Sequence, residues 1–331
     1  MFCLYRDHSA QNFPPTIHSV IYQHLLIMFA SPALRMFSRS SSMPEPAKIL
    51  TSPILTAHAI THAFTTRRGG VSAGIFESLS FGNPGDLPAE RRDPAANIAE
   101  NFRRALLAIG ITQAWISEGN AQPDVSTPHH AGNREIVQIH QVHGSAVHVV
   151  EANGPSHATD HDTRADALVT DDPSRVIAIR IADCTPILVA TKDGRVVAAI
   201  HAGWRGVVAG IVPATIAAMH RVFPTSSSKG LVAAIGPCIS LDHFEVGHEV
   251  AAEFAAVFGP STSHIHPGDG NARPHIDLKS AIIEQLVLSG LHHRGIDTLP
   301  HCTVAEPDLF FSHRRDHGLT GRMVAMISPT Q

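Results

Sequence analysis

From Leu50 onward the chain alternates short apolar runs with polar or glycine-rich breaks, the pattern of a packed domain. Residues 94–107 place Ile98, Phe102, Leu106 and Leu107 at helical spacing, and 246–258 and 278–288 repeat that periodicity. Residues 207–223 form the strongest helix candidate, opened by the glycines of "HAGWRG"; Pro213 inside it marks a kink or a later start. Strands are predicted over 167–170, 176–181, 231–235, 302–304 and 324–327. The runs 135–140 and 146–150 flank Gly144, so they pair or bend around it. The runs 187–191 and 195–200 are separated by Lys192-Asp193-Gly194, a hairpin signal. Residues 119–133 are polar with Pro and His and read as a mobile surface loop.

Strands and helices interleave, yet hairpins are present, so a purely parallel sheet is not expected. The fold class expected is α+β: a single domain over 43–331 with mixed β-sheets and packed helices. No self-similarity at 20–50 residues points to a repeat array.

The first 42 residues do not conform. The apolar stretch 20–30 is interrupted by Gln23 and His24, is too short to span a bilayer, and lacks a basic segment directly before it. Residues 27–42 carry Arg35 and Arg39 and no acid, as targeting presequences do, whereas "MPEPAKILTSPIL" from Met43 reads as an ordinary bacterial N-terminus. The expectation is an over-extended start, with Met43 as the true first residue.

Composition narrows the class. Of 331 residues, 44% are apolar and 16% charged, so a large core can be buried. The net charge of −4 leaves no basic excess for non-specific nucleic-acid binding. Four widely spaced cysteines, with no CxxC pair, fit a reducing compartment better than a disulfide framework. A cytoplasmic protein acting on small molecules is expected, as monomer or homodimer, with no nucleic-acid and no membrane partner.

Three residues offer metal chemistry. Cys184 follows the apolar run "VIAIRIAD", His201 follows "VVAAI", and His143 ends another strand candidate. Each sits where a core strand leaves its sheet, and the 187–200 hairpin brings Cys184 and His201 close. Two imidazoles and a thiolate leave a fourth tetrahedral position open, the arrangement of a catalytic zinc site, where the ion lowers the pKa of water toward ~7. His140 competes with His143, since residues three apart on a strand point to opposite faces. Each of these residues alone also fits the role of core filler.

The segments "TTRRGGVSAG", "IHQVHGSAV", "ADALVTDDPSRVIAIRIADCTPILV", "VAAIHAGWRGVVAGIV", "AAIGPCISLDHFEVG" and "CTVAEPDLFFSHRRD…TGR" occur in this order. Together, over residues 50–327, they resemble the laccase-domain family, first called polyphenol oxidases and later purine nucleoside phosphorylases. The resemblance implies one α+β domain holding zinc, or copper, on His143, Cys184 and His201. It implies phosphorolysis of adenosine, inosine and methylthioadenosine, and deamination of adenosine. Arg67 takes the family's Thr-Arg-x-Gly-Gly position and is the expected substrate contact. His313 stands where the family has Tyr, so no phenol is available there.

Deamination needs a proton carrier. The H-x-E…P-C-x-x-C signature of zinc deaminases is absent, and Asp183 is a candidate only by adjacency to Cys184. Phosphorolysis needs bound phosphate, for which "HAGWRGVV" offers a helix start beside Arg205. Two other enzyme classes use the same residues. One is a metal-free cysteine hydrolase with Cys184 as nucleophile and His143 or His201 as base. The other is a copper phenol oxidase, against which stand a single three-ligand set and the lack of a Met near these motifs. A non-catalytic metal-binding protein is the remaining class.

Overall fold

The computed structural model describes residues 45–112, 114, 115, 134–151, 159–222, 230–268 and 272–330. The expectations for the 1–42 tail and the 119–133 loop lie outside the described residues.

Fifteen strands and six helices follow one another among the described residues: β1 (Ile49–Leu50), α1 (Pro53–Ala57), β2 (Thr61–Thr65), α2 (Ala95–Ala108), β3 (Ala114–Trp115), β4 (Arg134–His140), β5 (Val147–Val150), β6 (Thr159–Arg164), β7 (Ala167–Thr170), β8 (Arg175–Ile181), β9 (Thr185–Thr191), β10 (Val197–Ala202), α3 (Trp204–Val208), α4 (Ile211–Val222), β11 (Leu231–Ile235), α5 (His248–Phe258), β12 (Ile265–His266), β13 (His275–Ile276), α6 (Leu278–Leu288), β14 (Ile296–Thr298) and β15 (Met323–Ser328). One sheet runs β1-β2-β15-β8-β4-β3, with β6 beside β4; a second runs β14-β11-β9-β10-β7-β5. Both mix parallel and antiparallel pairs.

Side-chain alternation explains the layering. Along β8, Ile177, Ile179 and Ile181 point to one face and Val176 and Ala178 to the other. Along β10, Val197 and Ala199 face the first sheet while Ala198, Ile200 and Ala202 face the helices. The two sheets therefore stack directly, with Phe64, Ile179 and Ala325 of one against Leu188, Val197 and Val232 of the other. Helix α2 covers the outer face of the first sheet through Phe102, Ala105 and Leu106. Helices α3 to α6 cover the outer face of the second through Val207, Ile216, Phe254 and Ile282, among others. The result is four layers, helix–sheet–sheet–helix, in a single α+β domain. Strands covered on both faces read as continuous apolar runs, which is why β8, β9 and β10 were conspicuous in the sequence.

Several expectations need correction. The runs around Gly144 do not pair: β4 belongs to the first sheet and β5 to the second, so the chain bends around Gly144 to cross between layers. The helix candidate 207–223 is two helices, α3 and α4, broken at Gly210, whose φ of 78° no helix interior adopts. Pro213 falls in the first turn of α4, the later start that its missing N–H tolerates. Residues 302–304 are not a strand; Cys302 makes one isolated bridge with Cys238 and the rest is turn.

Candidate metal centre and its cleft

Two crossovers between the sheets leave from the same end. One is the turn from β4 to β5, which carries His143; the other is Ala182-Asp183-Cys184 from β8 to β9. The β9–β10 hairpin pairs His201 with Pro186, two residues from Cys184. The ligand atoms of His143, Cys184 and His201 consequently lie within 4.8 Å of one another. The two imidazole rings meet edge-to-face with centroids 4.8 Å apart.

One buried carboxylate organises the cluster. Asp166, fully inaccessible at the head of β7, accepts from the His201 Nδ1–H at 2.8 Å. It also accepts from the backbone N–H of His143 at 2.9 Å and of Gly144 at 2.6 Å. Converging successive N–H groups on one carboxylate needs an unusual backbone, and His143 has φ of 61°. The Asp166 contact fixes the His201 ring through Nδ1 and leaves Nε2 for the Cys184 sulfur, the orientation in which metal-ligating histidines are held.

The electrostatics suit a cation. Burial by itself raises the Cys184 thiol, but the adjoining His201 and His143 bring it down to about 6. Burial lowers His201, while the Cys184 sulfur and the Asp166 carboxylate carry it up to about 9. A thiolate held between imidazoles is a donor set for a divalent ion. Room is provided by Gly203, where a Cβ would lie 3.0 Å from Cys184 Sγ and 3.1 Å from His143 Cδ2. The three side chains therefore fit a metal ion.

The cluster opens into a cleft of about 590 Å³. Arg180, Arg205, Arg314 and Arg322 line it, together with His140, His313 and the Trp204 ring; Asp183 is its one acidic lining residue. His140 and His143 thus both face the cleft, although only His143 joins the cluster. A second cavity of about 480 Å³, between α3 and α5, shares His143, Trp204 and Arg205 with the first.

The remaining sequence candidates sit differently from expectation. Asp183 (φ 89°) accepts from Thr303 Oγ1 at 2.6 Å, Ser312 Oγ at 3.1 Å and the Arg314 backbone N–H at 2.6 Å. Its carboxylate ties Thr303, Ser312 and Arg314 together at the cleft and is occupied as an acceptor. Arg67 does not line the cleft. It donates to the Glu77 and Pro307 carbonyls at 2.9 and 3.1 Å and lies 4.5 Å from the Phe311 ring centroid, tying two loops together. Arg205 does line the cleft, exposed at its rim and 4.5 Å from the Trp204 centroid. Helix α3 behind it has only five residues, so it lacks the aligned dipoles expected of a phosphate-binding helix start.

Asp166, Arg180 and Arg322 were not singled out in the sequence. The available signal was a charge inside an apolar run: Arg180 interrupts "VIAIRI", and Asp166 directly precedes "ALV".

The family described as multi-copper polyphenol oxidoreductase laccase matches residues 61–330. The chain belongs to this family. Among its relatives, a purine nucleoside phosphorylase of Deinococcus radiodurans is 34% identical over 278 residues, covering 83% of this chain and 92% of that one. A purine nucleoside phosphorylase of Mycobacterium tuberculosis is 35% identical over 269 residues, covering 81% and 91%. The crystal structure of YlmD from Geobacillus stearothermophilus, another relative, superimposes with a TM-score of 0.70 at 26% identity, covering 87% and 97%. Among the described residues, one group of His, Cys, Asp or Glu side chains could hold a metal ion, that of His143, Cys184 and His201, and no helix is long and apolar enough to cross a membrane.

Proposed function

We propose that this protein is a metal-dependent purine nucleoside phosphorylase that also deaminates adenosine, with adenosine, inosine and methylthioadenosine as substrates. The observation that carries the reading is the His143–Cys184–His201 cluster at the floor of an arginine-lined cleft. The activity named for relatives at 34–35% identity supports it. Zinc is the ion proposed, because two imidazoles and one thiolate form a three-ligand tetrahedral set; copper is the other metal such a set accepts. When bound, the ion supplies Lewis acidity next to the substrate.

The chain's own residues do the rest. In phosphorolysis a phosphate oxygen bonds to C1′ as the C1′–N9 bond breaks, and the base leaves after gaining a proton. The cleft's guanidinium groups hold the anion and Trp204 offers a flat face to the base. Arg205, at the rim, contacts substrate as it enters. Asp183 acts by holding the Arg314 backbone in place, and Arg67 by fixing the loop that carries Pro307. A monomer or homodimer working in the cytoplasm completes the proposal.

The lowered Cys184 thiol favours one second reading, a metal-free cysteine hydrolase. A single panel separates the two: adenosine, inosine and methylthioadenosine, each with and without phosphate, using protein of measured zinc content. Base plus ribose 1-phosphate, formed only with phosphate, is expected; inosine plus ammonia from adenosine marks deamination. Thiol alkylation that abolishes activity while leaving zinc stoichiometric and bound contradicts the metal reading.

A further inference from the structure

The cleft that holds the candidate metal cluster is also lined by Arg180 and Arg322, which among the described residues have no carboxylate at ion-pair distance. Arg180 lies on β8 opposite Val324 of β15, and Arg322 precedes Val324 by two residues. Arg322 immediately precedes β15, so the two side chains arise from neighbouring strands on the cleft side. Gly82 lies against them: a Cβ there would stand 3.2 Å from Arg180 Cδ, 3.4 Å from Arg180 Nη1 and 3.8 Å from Arg322 Cγ.

The polar contacts of the pair are few. Arg322 Nη1 donates to the Thr320 and Gly321 carbonyls at 2.9 and 3.0 Å. Arg180 Nη2 reaches the Ile139 carbonyl at 3.4 Å. Among the described residues, Nε and Nη2 of Arg322 and Nε and Nη1 of Arg180 have no protein acceptor, and neither guanidinium has a carboxylate at ion-pair distance. Asp183, the one acid of the cleft, is already committed to Thr303, Ser312 and the Arg314 N–H. Burial lowers both guanidinium pKa values; in Arg322 the Arg180 charge acts in the same direction, and the more distant Cys184 and Asp183 charges act against it. Two half-buried like charges whose free donors converge on a cavity form a site that an anion would neutralise.

We infer that Arg180 and Arg322, with Gly82 leaving the space between them, form the oxyanion-binding site of this cleft and hold a tetrahedral phosphate group. Planar guanidinium forks match phosphate oxygens two at a time. Two sources share this chemistry: inorganic phosphate as co-substrate, and the phosphate ester of a nucleotide. The site rests on the phosphorylase reading only in taking the free ion as its occupant.

Isothermal titration calorimetry on the full-length, metal-containing protein tests it, with inorganic phosphate in one arm and adenosine 5′-monophosphate in the other. Wild type is expected to bind inorganic phosphate, and Arg180→Gln and Arg322→Gln each to weaken it by about 10–100-fold. Arg322→Lys is expected to recover part of the loss, because charge returns without the fork. Gly82→Val removes no charge but fills the space, and is expected to weaken phosphate about tenfold or more. Circular dichroism melting of each variant separates loss of binding from loss of fold. Binding of the nucleotide alone, lost in the same variants, supports the site with an ester as occupant. Absence of binding in both arms, or unchanged binding in folded Gln and Val variants, overturns it. Calorimetry reads no turnover, so phosphate binding without ribose 1-phosphate formation keeps this site and overturns phosphorolysis. Phosphorolysis with an unchanged KM for phosphate in both Gln variants does the reverse.

Discussion

At the scale of single residues, the candidate metal centre depends as much on Asp166 as on His143, Cys184 and His201. His201 sits in a regular strand, and its ring orientation is fixed by the 2.8 Å contact to Asp166. His143 has no strand to hold it; its left-handed backbone is held by Asp166 accepting from residues 143 and 144. Replacing Cys184, His143 or His201 by Ala is expected to remove metal and activity together while the fold survives. Metal analysis of each purified variant checks this, and full occupancy in any one of them removes that residue from the ligand set. Asp166→Asn keeps the shape but removes the charge, and is expected to lower metal affinity by about 10–100-fold, as loss of an outer-shell partner does. Competition with a chromogenic chelator measures that affinity without recourse to turnover.

At the scale of elements, the site is a product of where strands end. The β4–β5 and β8–β9 crossovers meet because both pass between sheets at the same edge, and the β9–β10 hairpin returns His201 to them. Helix α3 must then start within van der Waals reach of the cluster, which Gly203 permits. Gly203→Ala is expected to push Cys184 and His143 apart and lower metal affinity at least tenfold, because its Cβ would meet both at about 3 Å. A cobalt-substituted sample reads the change as a shift in the thiolate–metal absorption bands, and unchanged bands count against the packing argument. Much of this was legible in the sequence. Strands buried on both faces announce themselves as apolar runs, and the Lys192-Asp193-Gly194 turn predicted the hairpin on which the Cys184–His201 approach depends. What was illegible is physical in origin. Strand β2, Thr-His-Ala-Phe-Thr, carries buried polar side chains and gives no apolar run. The bend at Gly144 moves the chain to another sheet, a choice that local pattern does not encode. The left-handed backbone of His143 and Asp183 follows from tertiary hydrogen bonds that no neighbouring residue reveals. The "HAGWRG" glycines marked a helix start correctly, but Gly210 ended that helix after five residues.

At the scale of the whole molecule, the three hydrophobic clusters among the described residues draw on positions from Ala47 to Ile327. The family match begins at residue 61. A chain starting at Met43 is therefore expected to keep the melting temperature and activity of the 331-residue protein, and differential scanning calorimetry of the two decides; a drop of many degrees assigns the first 42 residues a structural role. The four-layer arrangement leaves its polar chemistry at one sheet edge, where the His143–Cys184–His201 trio and the arginines share a cleft. We propose that this trio makes the protein a metal-dependent phosphorylase. The most direct test is to strip the protein with a chelator, titrate zinc back, and follow ribose 1-phosphate formed from inosine and phosphate. Stripping is expected to abolish activity and added zinc to restore it linearly up to one zinc per chain, with no recovery in Cys184→Ala. Full phosphorolysis by the stripped protein, or recovery in Cys184→Ala equal to wild type, would contradict it.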